Sequence, residues 1–198
     1  MEAKKIITIV FLLLSFVSFA QSIDESRIGY LRAQANIAAG YMFAQKDIRP
    51  YIAGDFDLFV DDRVSVTGEG WFGFKVNNRF VTGLMRNHSI FGGLNYHLMK
   101  NGKWDPYIGL SPGIAFTQAF VPCHGNCTLE APDPDSGVVP LVSGVLGCNY
   151  YIGSVFNLFV KFRGVAGRFR GNLHEFTQLN EIKISVGLGW NVRLRKRS

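Results

Sequence analysis

The residues that could catalyse acyl transfer do not occur in a usable arrangement. That chemistry needs a serine nucleophile, a histidine base and an acid grouped on one face of the fold. His88 and Ser89 are adjacent, so in a β-strand their side chains would point in opposite directions. His174 and Glu175 have no serine close by in the sequence. We therefore expect no enzymatic activity.

Motifs for binding phosphate, nucleotides or metals are equally weak. The segment from Gly68 to Gly73 matches G-x-G-x-x-G, the dinucleotide fingerprint, but no helical pattern follows it and no βαβ unit surrounds it. We interpret this match as accidental. The sequence contains neither a P-loop nor an H-E-x-x-H motif, so we expect no cofactor and no metal site.

The N-terminus has the pattern of a signal peptide. A basic start precedes an apolar run from Ile6 to Phe19, which is too short for a transmembrane helix, and a small-x-small cleavage site ends at Ala20. We expect residues 1–20 to be removed on export and residues 21–198 to form one domain. The formal net charge of the chain is +6. Because an exported chain rarely meets nucleic acid, anionic lipid head groups are the favoured partners.

The three cysteines allow one disulfide. Cys123 and Cys127 flank a His-Gly-Asn segment, and an oxidising compartment favours a short loop disulfide between them. Two free thiols, or a metal site that uses His124, are the alternatives. We expect Cys148 to be a buried small residue.

The last stretch of the chain, residues 180–194, is the clearest structural element. Every second residue from Ile182 to Leu194 is apolar, and the residues between them are polar or glycine, which indicates a two-sided β-strand. At about 3.3 Å per residue, thirteen positions reach about 43 Å, or about 33 Å of height at a tilt near 40°. That height is enough to cross the apolar band of an outer membrane, roughly 25 Å.

Seven further segments have a pattern typical of strands, so we predict eight in all. Asn101-Gly102 marks a hairpin turn between two of them. The even number, and the alternation of short turns with mostly longer loops, predicts an all-β, eight-stranded antiparallel up-and-down transmembrane barrel. The segment 138–150 is apolar in both phases, so its facing stays open, and Pro112 is interpreted as a local bulge. The other segments are 34–43, 51–60, 64–74, 89–98, a strand that ends at Thr117, and 155–167.

The composition of the polar rows indicates which face is which. They are rich in Gly, Ala, Ser and Asn and contain few Lys or Glu, unlike a strand face in water, and small residues suit the narrow interior of eight strands. We therefore expect the apolar rows to face lipid. A lipocalin-like soluble barrel is the alternative. The aromatic residues expected at the membrane interfaces are Tyr41, Tyr51, Tyr96, Trp104, Tyr107 and Trp190.

This orientation predicts a network of charges inside the barrel. Asp55 and Glu69 would lie near mid-height of strands two and three, and Lys161 and Arg163 near mid-height of strand seven across the lumen. We expect opposite charges to pair and plug the barrel, because an unpaired buried charge is costly. Separate charges solvated by interior water are the alternative. The predicted network consists of Asp55, Asp57, Glu69, Lys161, Arg163 and Lys183.

Arg168 and Arg170 lie in the last predicted loop together with His174. Arginine binds phosphate through two parallel hydrogen bonds, so a contact with lipid head groups is one interpretation. A solvated loop is the other.

Taken together, these features resemble the small outer-membrane β-barrel proteins of the OmpA/OmpX and porin-like superfamily, especially those of the Bacteroidetes type. The segments that carry the resemblance are G-G-L-N-Y-H-L (92–98), K-N-G-K-W-D-P-Y-I-G-L (100–110) and G-L-G-W-N-V-R-L (187–194). The resemblance implies a location in the bacterial outer membrane. The implied partners are outer-membrane lipids, lipopolysaccharide and the outer-membrane assembly machinery. Family members typically end on an aromatic residue, whereas this chain continues past Leu194 to Ser198.

Three functions follow from the resemblance and the charge pattern. The first is a structural or surface-interaction barrel with a plugged lumen and no catalysis, whose extracellular loop partner the sequence does not name. The second is a narrow porin-like channel for small solutes. The third, least favoured, is an enzyme that modifies lipid A.

Overall fold

The computed structural model describes residues 26–74, 84–119, 135–168 and 178–194. The strands in these ranges form one closed barrel in chain order, with every neighbouring pair antiparallel and β1 paired to β8. The predicted fold class is thus confirmed. Within the described ranges, no helix is long and apolar enough to cross a membrane. The strands are β1 Tyr30–Met42, β2 Asp47–Phe59, β3 Val64–Gly73, β4 Leu84–His97, β5 Trp104–Ala119, β6 Asp135–Tyr151, β7 Phe156–Gly167 and β8 Glu181–Arg193.

Several strands extend further than their apolar alternation predicts. We expected β1 to begin at residue 34 after a polar lead-in, but its ladder begins at Tyr30 and includes Arg32. In the same way, β2 begins at Asp47 and carries Arg49 inward. The reason is that polar side chains near the ends of these strands face a polar interior, which local hydrophobicity does not reveal.

The apolar rows face outward and the polar rows face inward. In β8, Ile182, Ile184 and Val186 are between 45% and 52% exposed, whereas Lys183 and Ser185 are each 2% exposed. A soluble barrel has the reverse arrangement, with an apolar interior. This exposed apolar belt is the surface that a barrel presents to lipid, and it contradicts the lipocalin-like alternative.

The structure also settles the facing of β6. Val138, Val142 and Leu146 face outward and are at least 50% exposed, while Val139 and Val145 face inward and are buried. The strand is apolar in both phases because its inner row near the loops joins an interior apolar cluster. That cluster consists of Met42, Tyr51, Ala53, Trp71, Phe91, Ala115, Val139, Leu141, Val165 and Leu179.

The two ends of the barrel differ. One, the turn end, carries the connections after β2, β4 and β6, each between four and six residues long by the strand bounds. The other, the loop end, carries the connections after β1, β3, β5 and β7, of which the last three are longer. The predicted Asn101-Gly102 hairpin lies at the turn end, where Gly102 has a φ of 114°, a value that glycine adopts without strain.

The interpretations of four residues were wrong. Pro112 lies in a regular stretch of β5, with an unchanged register to β4 on either side, so there is no bulge there. It is tolerated because it faces outward and its missing N–H removes only one donor. Cys148 is half-buried on the outer row rather than buried. Tyr51 and Tyr107 are 2% exposed inside the barrel and do not belong to an interfacial girdle.

The interior is closely filled. Gly147 faces inward on β6, and a Cβ atom there would lie 2.3 Å from Cζ of Tyr107 on the neighbouring β5. A side chain at this position would therefore displace the tyrosine ring. Small residues in the inner row make room for large ones beside them, as the narrow cross-section of eight strands requires.

Candidate functional site in the barrel interior

Charged side chains occupy the described barrel interior at three heights, and Arg49, Glu181 and Lys183 are those nearest the loop end. The mid-barrel cluster consists of Asp55, Glu69, Lys161 and Arg163, and the turn-end cluster consists of Arg27, Arg32, Asp57, His97 and Asp105. Every one of these residues is less than 9% exposed. Alternation places each of them on the inner row of its strand, apart from Arg27, which precedes β1.

In the mid-barrel cluster, ion pairs cross the lumen. Lys161 Nζ of β7 contacts Asp55 Oδ2 of β2, and Arg163 Nη2 of β7 contacts Glu69 Oε1 of β3. Strand β7 is not a neighbour of β2 or β3 in the barrel. These contacts therefore join opposite walls rather than adjacent strands.

Further hydrogen bonds and rings complete the mid-barrel cluster. Arg163 Nη1 donates to Ser143 Oγ at 2.6 Å, and the indole N–H of Trp71 donates to Glu69 Oε2 at 3.0 Å. The guanidinium carbon of Arg163 lies 4.8 Å from the ring centroid of Phe91. A cation this close to a desolvated aromatic face is attracted by its quadrupole, so Arg163 is held by a carboxylate, a hydroxyl and a ring.

Lys183 forms its ion pair on the loop side of the mid-barrel cluster, and its Nζ lies 4.7 Å from the ring centroid of Trp71, the residue that donates to Glu69. Its Nζ lies 3.3 Å from Glu181 Oε2, two positions earlier on the same strand, and 4.0 Å from the ring centroid of Tyr51. The Tyr51 hydroxyl donates to Glu181 Oε1 at 2.5 Å, and Asn87 Nδ2 donates to that hydroxyl at 3.0 Å. This group lies on the loop side of the mid-barrel cluster.

Asp57 belongs to the turn-end cluster. Arg32 donates to Asp57 Oδ2 from Nη2 at 2.7 Å and from Nε at 3.1 Å. Asn95 Nδ2 donates to the other oxygen of Asp57 at 2.9 Å. Arg32 Nη1 reaches Asp105 Oδ2 at 3.5 Å, so this arginine links the two acids.

Asp105 accepts contacts from further donors at the turn end. Arg27 Nη1 lies 3.0 Å from Asp105 Oδ1, and the Tyr151 hydroxyl donates to Oδ2 at 3.0 Å. Because Arg27 precedes β1, its ion pair draws the chain before the first strand into the turn end of the lumen.

Ser65, His97 and Asp105 form a hydrogen-bonded series in the order of a hydrolase triad. Ser65 Oγ lies 3.1 Å from His97 Nε2, and His97 Nδ1 lies 2.9 Å from Asp105 Oδ2. All three residues are 0% exposed. The imidazole lies between the rings of Phe59 and Tyr107, with centroids 4.8 Å and 5.3 Å away. Activated serine needs a substrate beside it, and in this geometry the neighbouring rings cover the histidine.

The predicted charge network lacks six buried ionisable side chains of the described ranges, namely Arg27, Arg32, Arg49, His97, Asp105 and Glu181. Arg32 lies before the predicted start of β1, and Asp105 lies at the exit of the predicted hairpin turn. Glu181 precedes the first apolar residue of β8 and was not assigned to a face. Continuing the inner rows backwards from Asn36, Ser111 and Lys183 would have placed Arg32, Asp105 and Glu181 inside.

Of the remaining predicted site residues, Arg168 alone lies within the described ranges. Arg168 follows β7 on the outer row, is exposed and forms an isolated bridge with Gln178. Arg170 and the two cysteines of the predicted disulfide, Cys123 and Cys127, lie outside the described residues.

A separate group of polar contacts links the turns at the turn end. Asp62, in the turn after β2, contacts Lys100 Nζ in the turn after β4. It also accepts hydrogen bonds from the Ser26 hydroxyl at 2.8 Å and the Arg27 backbone N–H at 2.9 Å. These partners, the hydrogen bond from Lys100 first among them, lower the pKa of Asp62 to about 2. The carboxylate therefore links two turns to the chain before β1.

Solved structures share this fold. The N-terminal β-barrel domain of Pseudomonas aeruginosa OprF aligns with a TM-score of 0.59 at 14% identity, over 85% of this chain and 100% of that one. Neisserial surface protein A aligns with a TM-score of 0.56 at 13% identity, over 83% and 96% of the two chains. Ail, the attachment invasion locus protein of Yersinia pestis, aligns with a TM-score of 0.53 at 9% identity, over 83% and 99%. No protein-family model and no curated protein sequence matches the chain.

At these identities the likeness concerns the fold alone. The exposed apolar belt is a separate observation on this chain, and it indicates a surface that faces lipid. A closed barrel satisfies every strand's hydrogen bonds within the sheet, which is the requirement for crossing lipid with β-strands. The chain has the fold of the small OmpA/OmpX-like outer-membrane β-barrels, and its exposed apolar rows are those of a β-barrel that crosses a membrane.

Proposed function

We propose that this protein is a non-catalytic outer-membrane barrel with a structural or surface-interaction role, whose lumen is plugged by its own side chains. The observation that carries the proposal is the pair of cross-lumen contacts, Lys161 with Asp55 and Arg163 with Glu69. The interior of eight strands is only wide enough for side chains. Ion pairs that join opposite walls therefore occupy the path that a solute would take.

The packing on either side of these pairs supports the same proposal. Towards the loop end, the apolar cluster that includes Met42, Trp71 and Leu179 fills the interior. Towards the turn end, Arg32 and Asp105 are each 0% exposed. A conducting path would have to displace charged or apolar side chains at three successive heights.

Planar-bilayer recordings test the plug. We expect the folded wild-type protein to give no stable single-channel current, because a permeating ion would have to break buried ion pairs. A larger porin of 16–18 strands, reconstituted in the same way, serves as the positive control.

The porin-like alternative makes the opposite forecast. A stable wild-type current whose ion selectivity changes in Lys161→Met would contradict the plug, since it would place Lys161 on an open path. Leu110→Ala, on the outer row, is the matched control that should not alter selectivity.

The absence of catalysis is part of the proposal and rests on the burial of Ser65. We expect a fluorophosphonate probe, which reacts with activated serines, to label wild type no more than Ser65→Ala. Labelling that is present in wild type and lost in Ser65→Ala would support a hydrolase instead. Mass spectrometry of lipid A from cells with and without the protein would then test lipid A as the substrate.

The proposed partners are the lipids of the outer membrane, lipopolysaccharide and the assembly machinery that inserts barrels. The exposed apolar rows support lipid contact directly. At the loop end, Arg168 is an exposed cation on the outer row, which supports its proposed role in contacting lipid head groups. The turn end would face the periplasm and the loop end the exterior, as in barrels with short periplasmic turns.

A further inference from the structure

Three polar side chains interrupt the apolar outer surface at the loop end of β4 and β5. They are Arg86, His88 and Gln118, all on the outward-facing rows. Together they border a cavity of about 310 Å³, which we call the outer notch. Its volume is at the lower end of the range for ligand pockets, roughly 300–1,000 Å³. The residues that line it are Arg86, His88, Phe116, Thr117, Gln118, Gly137 and Val138.

The height of the outer notch corresponds to the outer border of the apolar belt. Tyr96, on the same row of β4 near the turn end, is 43% exposed. Arg86 is ten positions before it, about 33 Å along the strand or about 25 Å in height at a tilt near 40°. The apolar band of an outer membrane is roughly 25 Å tall. If Tyr96 marks the inner interface, Arg86 lies where the head groups of the outer leaflet begin.

The outer notch is polar on the side nearer the loop end and apolar on the side nearer the membrane centre. The ladder pairs Arg86 with Gln118 in one row, and His88 with Phe116 in the next row towards the membrane centre. Phe116 in turn pairs with Val138, and these two side chains are 42% and 65% exposed. A lipid with an anionic head and an acyl chain has the same order of polarity in the outer leaflet.

Thr117 Oγ1 in the notch donates to the Gly137 carbonyl at 3.2 Å, whereas Arg86 and His88 have polar groups without such a partner in the described part of the chain. No acidic side chain described there forms an ion pair with Arg86. The Nδ1 atom of His88 has no hydrogen-bond partner there, and one side of its ring packs near Phe72, with centroids 5.6 Å apart. An arginine and a histidine on a lipid-facing row are unfavourable unless they reach an interface or an anion.

We propose that the outer notch binds a phosphate group of an outer-leaflet lipid. Arg86 is the main ligand, because guanidinium matches phosphate with two parallel hydrogen bonds. His88 and Gln118 supply further donors, and the acyl chain lies along Phe116 and Val138. This site is separate from Arg168, which follows β7.

Native mass spectrometry of the folded protein in non-ionic detergent, with added lipid A bearing phosphate groups, tests the proposal. We expect one tightly bound lipid in wild type and roughly tenfold weaker binding in Arg86→Gln, as expected for loss of a charge-assisted contact. Arg86→Lys should fall between them because it retains the charge without the bidentate geometry. Arg63→Gln, which removes the same charge from the turn end, should bind like wild type.

Two further binding measurements distinguish phosphate carried by a lipid from free phosphate. An acyl-matched lipid without phosphate should bind wild type no better than phosphorylated lipid A binds Arg86→Gln. Inorganic phosphate at millimolar concentration should displace little of the bound lipid A. Displacement at low concentration would show that the notch takes free phosphate and would overturn the lipid assignment.

Equal binding by Arg86→Gln and Arg63→Gln would also overturn the proposal, as would equal binding of the phosphate-free lipid. Stronger competition by an acidic peptide than by lipid A would assign the notch to a protein partner instead. Only the folded fraction, recognised by its resistance to unheated detergent on a gel, enters the comparison, so misfolding of a variant is not mistaken for lost affinity.

Discussion

Five buried cations of the described ranges are each held by a carboxylate and an aromatic ring. Arg163 contacts Glu69 and lies over Phe91, and Lys161 contacts Asp55 and lies over Phe159, with its Nζ 4.7 Å from the ring centroid. The ring compensates part of the hydration that the cation loses. The same combination recurs for Arg27, Arg32 and Lys183.

This arrangement predicts that removing one partner of a buried ion pair lowers the free energy of unfolding more than removing both partners. We expect Arg163→Met to lower the free energy of unfolding by roughly 3–5 kcal/mol, because Glu69 is left buried without its cation. The double variant Arg163→Met/Glu69→Gln should recover part of this loss. Equilibrium unfolding in urea of protein folded in lipid bilayers measures the difference.

Lys100→Met is the matched control, since it breaks an ion pair at the surface and should cost within about 1 kcal/mol. A double variant less stable than Arg163→Met alone would show that the buried pair itself, rather than the unpaired acid, accounts for the effect.

The turns at the turn end are linked to one another by side chains. Asp62, in the turn after β2, contacts Lys100 in the turn after β4, and accepts hydrogen bonds from Ser26 and Arg27 before β1. One carboxylate therefore connects three segments that are distant in sequence. Such a contact stabilises the barrel only while the carboxylate is ionised.

The pKa of Asp62, lowered to about 2, gives this contact a defined pH dependence. Because the folded pKa lies below the usual value near 4, the stabilisation is fully present above about pH 4 and is lost as the pH falls towards 2. We expect the stability difference between wild type and Asp62→Asn to be constant from pH 7 to 5 and to shrink below pH 4. Urea unfolding at a series of pH values measures it.

The Lys100→Met background provides the control for this prediction. Without Lys100, ionised Asp62 should contribute less to stability. The pH-dependent effect of Asp62→Asn on the free energy of unfolding should therefore be smaller in this background. A difference of unchanged size in that background would contradict the role of Lys100.

Closure gives the whole molecule its stability in lipid. Strands β1 and β8 pair along their full length, from Tyr30 with Arg193 to Met42 with Glu181. The sheet therefore has no free edge, and backbone donors and acceptors find partners within it. The inside is filled largely by charged, polar and aromatic side chains and the outside is covered by aliphatic and aromatic ones, the reverse of a soluble protein.

Much of this architecture was predictable because the signal for it is local. All eight segments predicted as strands are strands, and the inner row of β8 has the predicted small and polar residues. Where the pattern is not two-sided, as in β6, the sequence left the facing open. Strand ends were underestimated at Arg32 and Arg49, since an arginine at a strand end does not reveal whether it faces water or a polar interior.

The sequence by itself determined the number of strands, their antiparallel order and which face of most strands meets lipid, because alternation with a period of two, the lengths of the connections and the composition of each row can all be read from neighbouring residues. Only the tertiary structure decided which charges meet. Lys161 contacts Asp55 while Arg163 contacts Glu69, and Asp105 gathers Arg27, Arg32 and His97. These choices depend on the stagger of eight strands around the closed barrel, which sets the heights at which residues from opposite walls face each other.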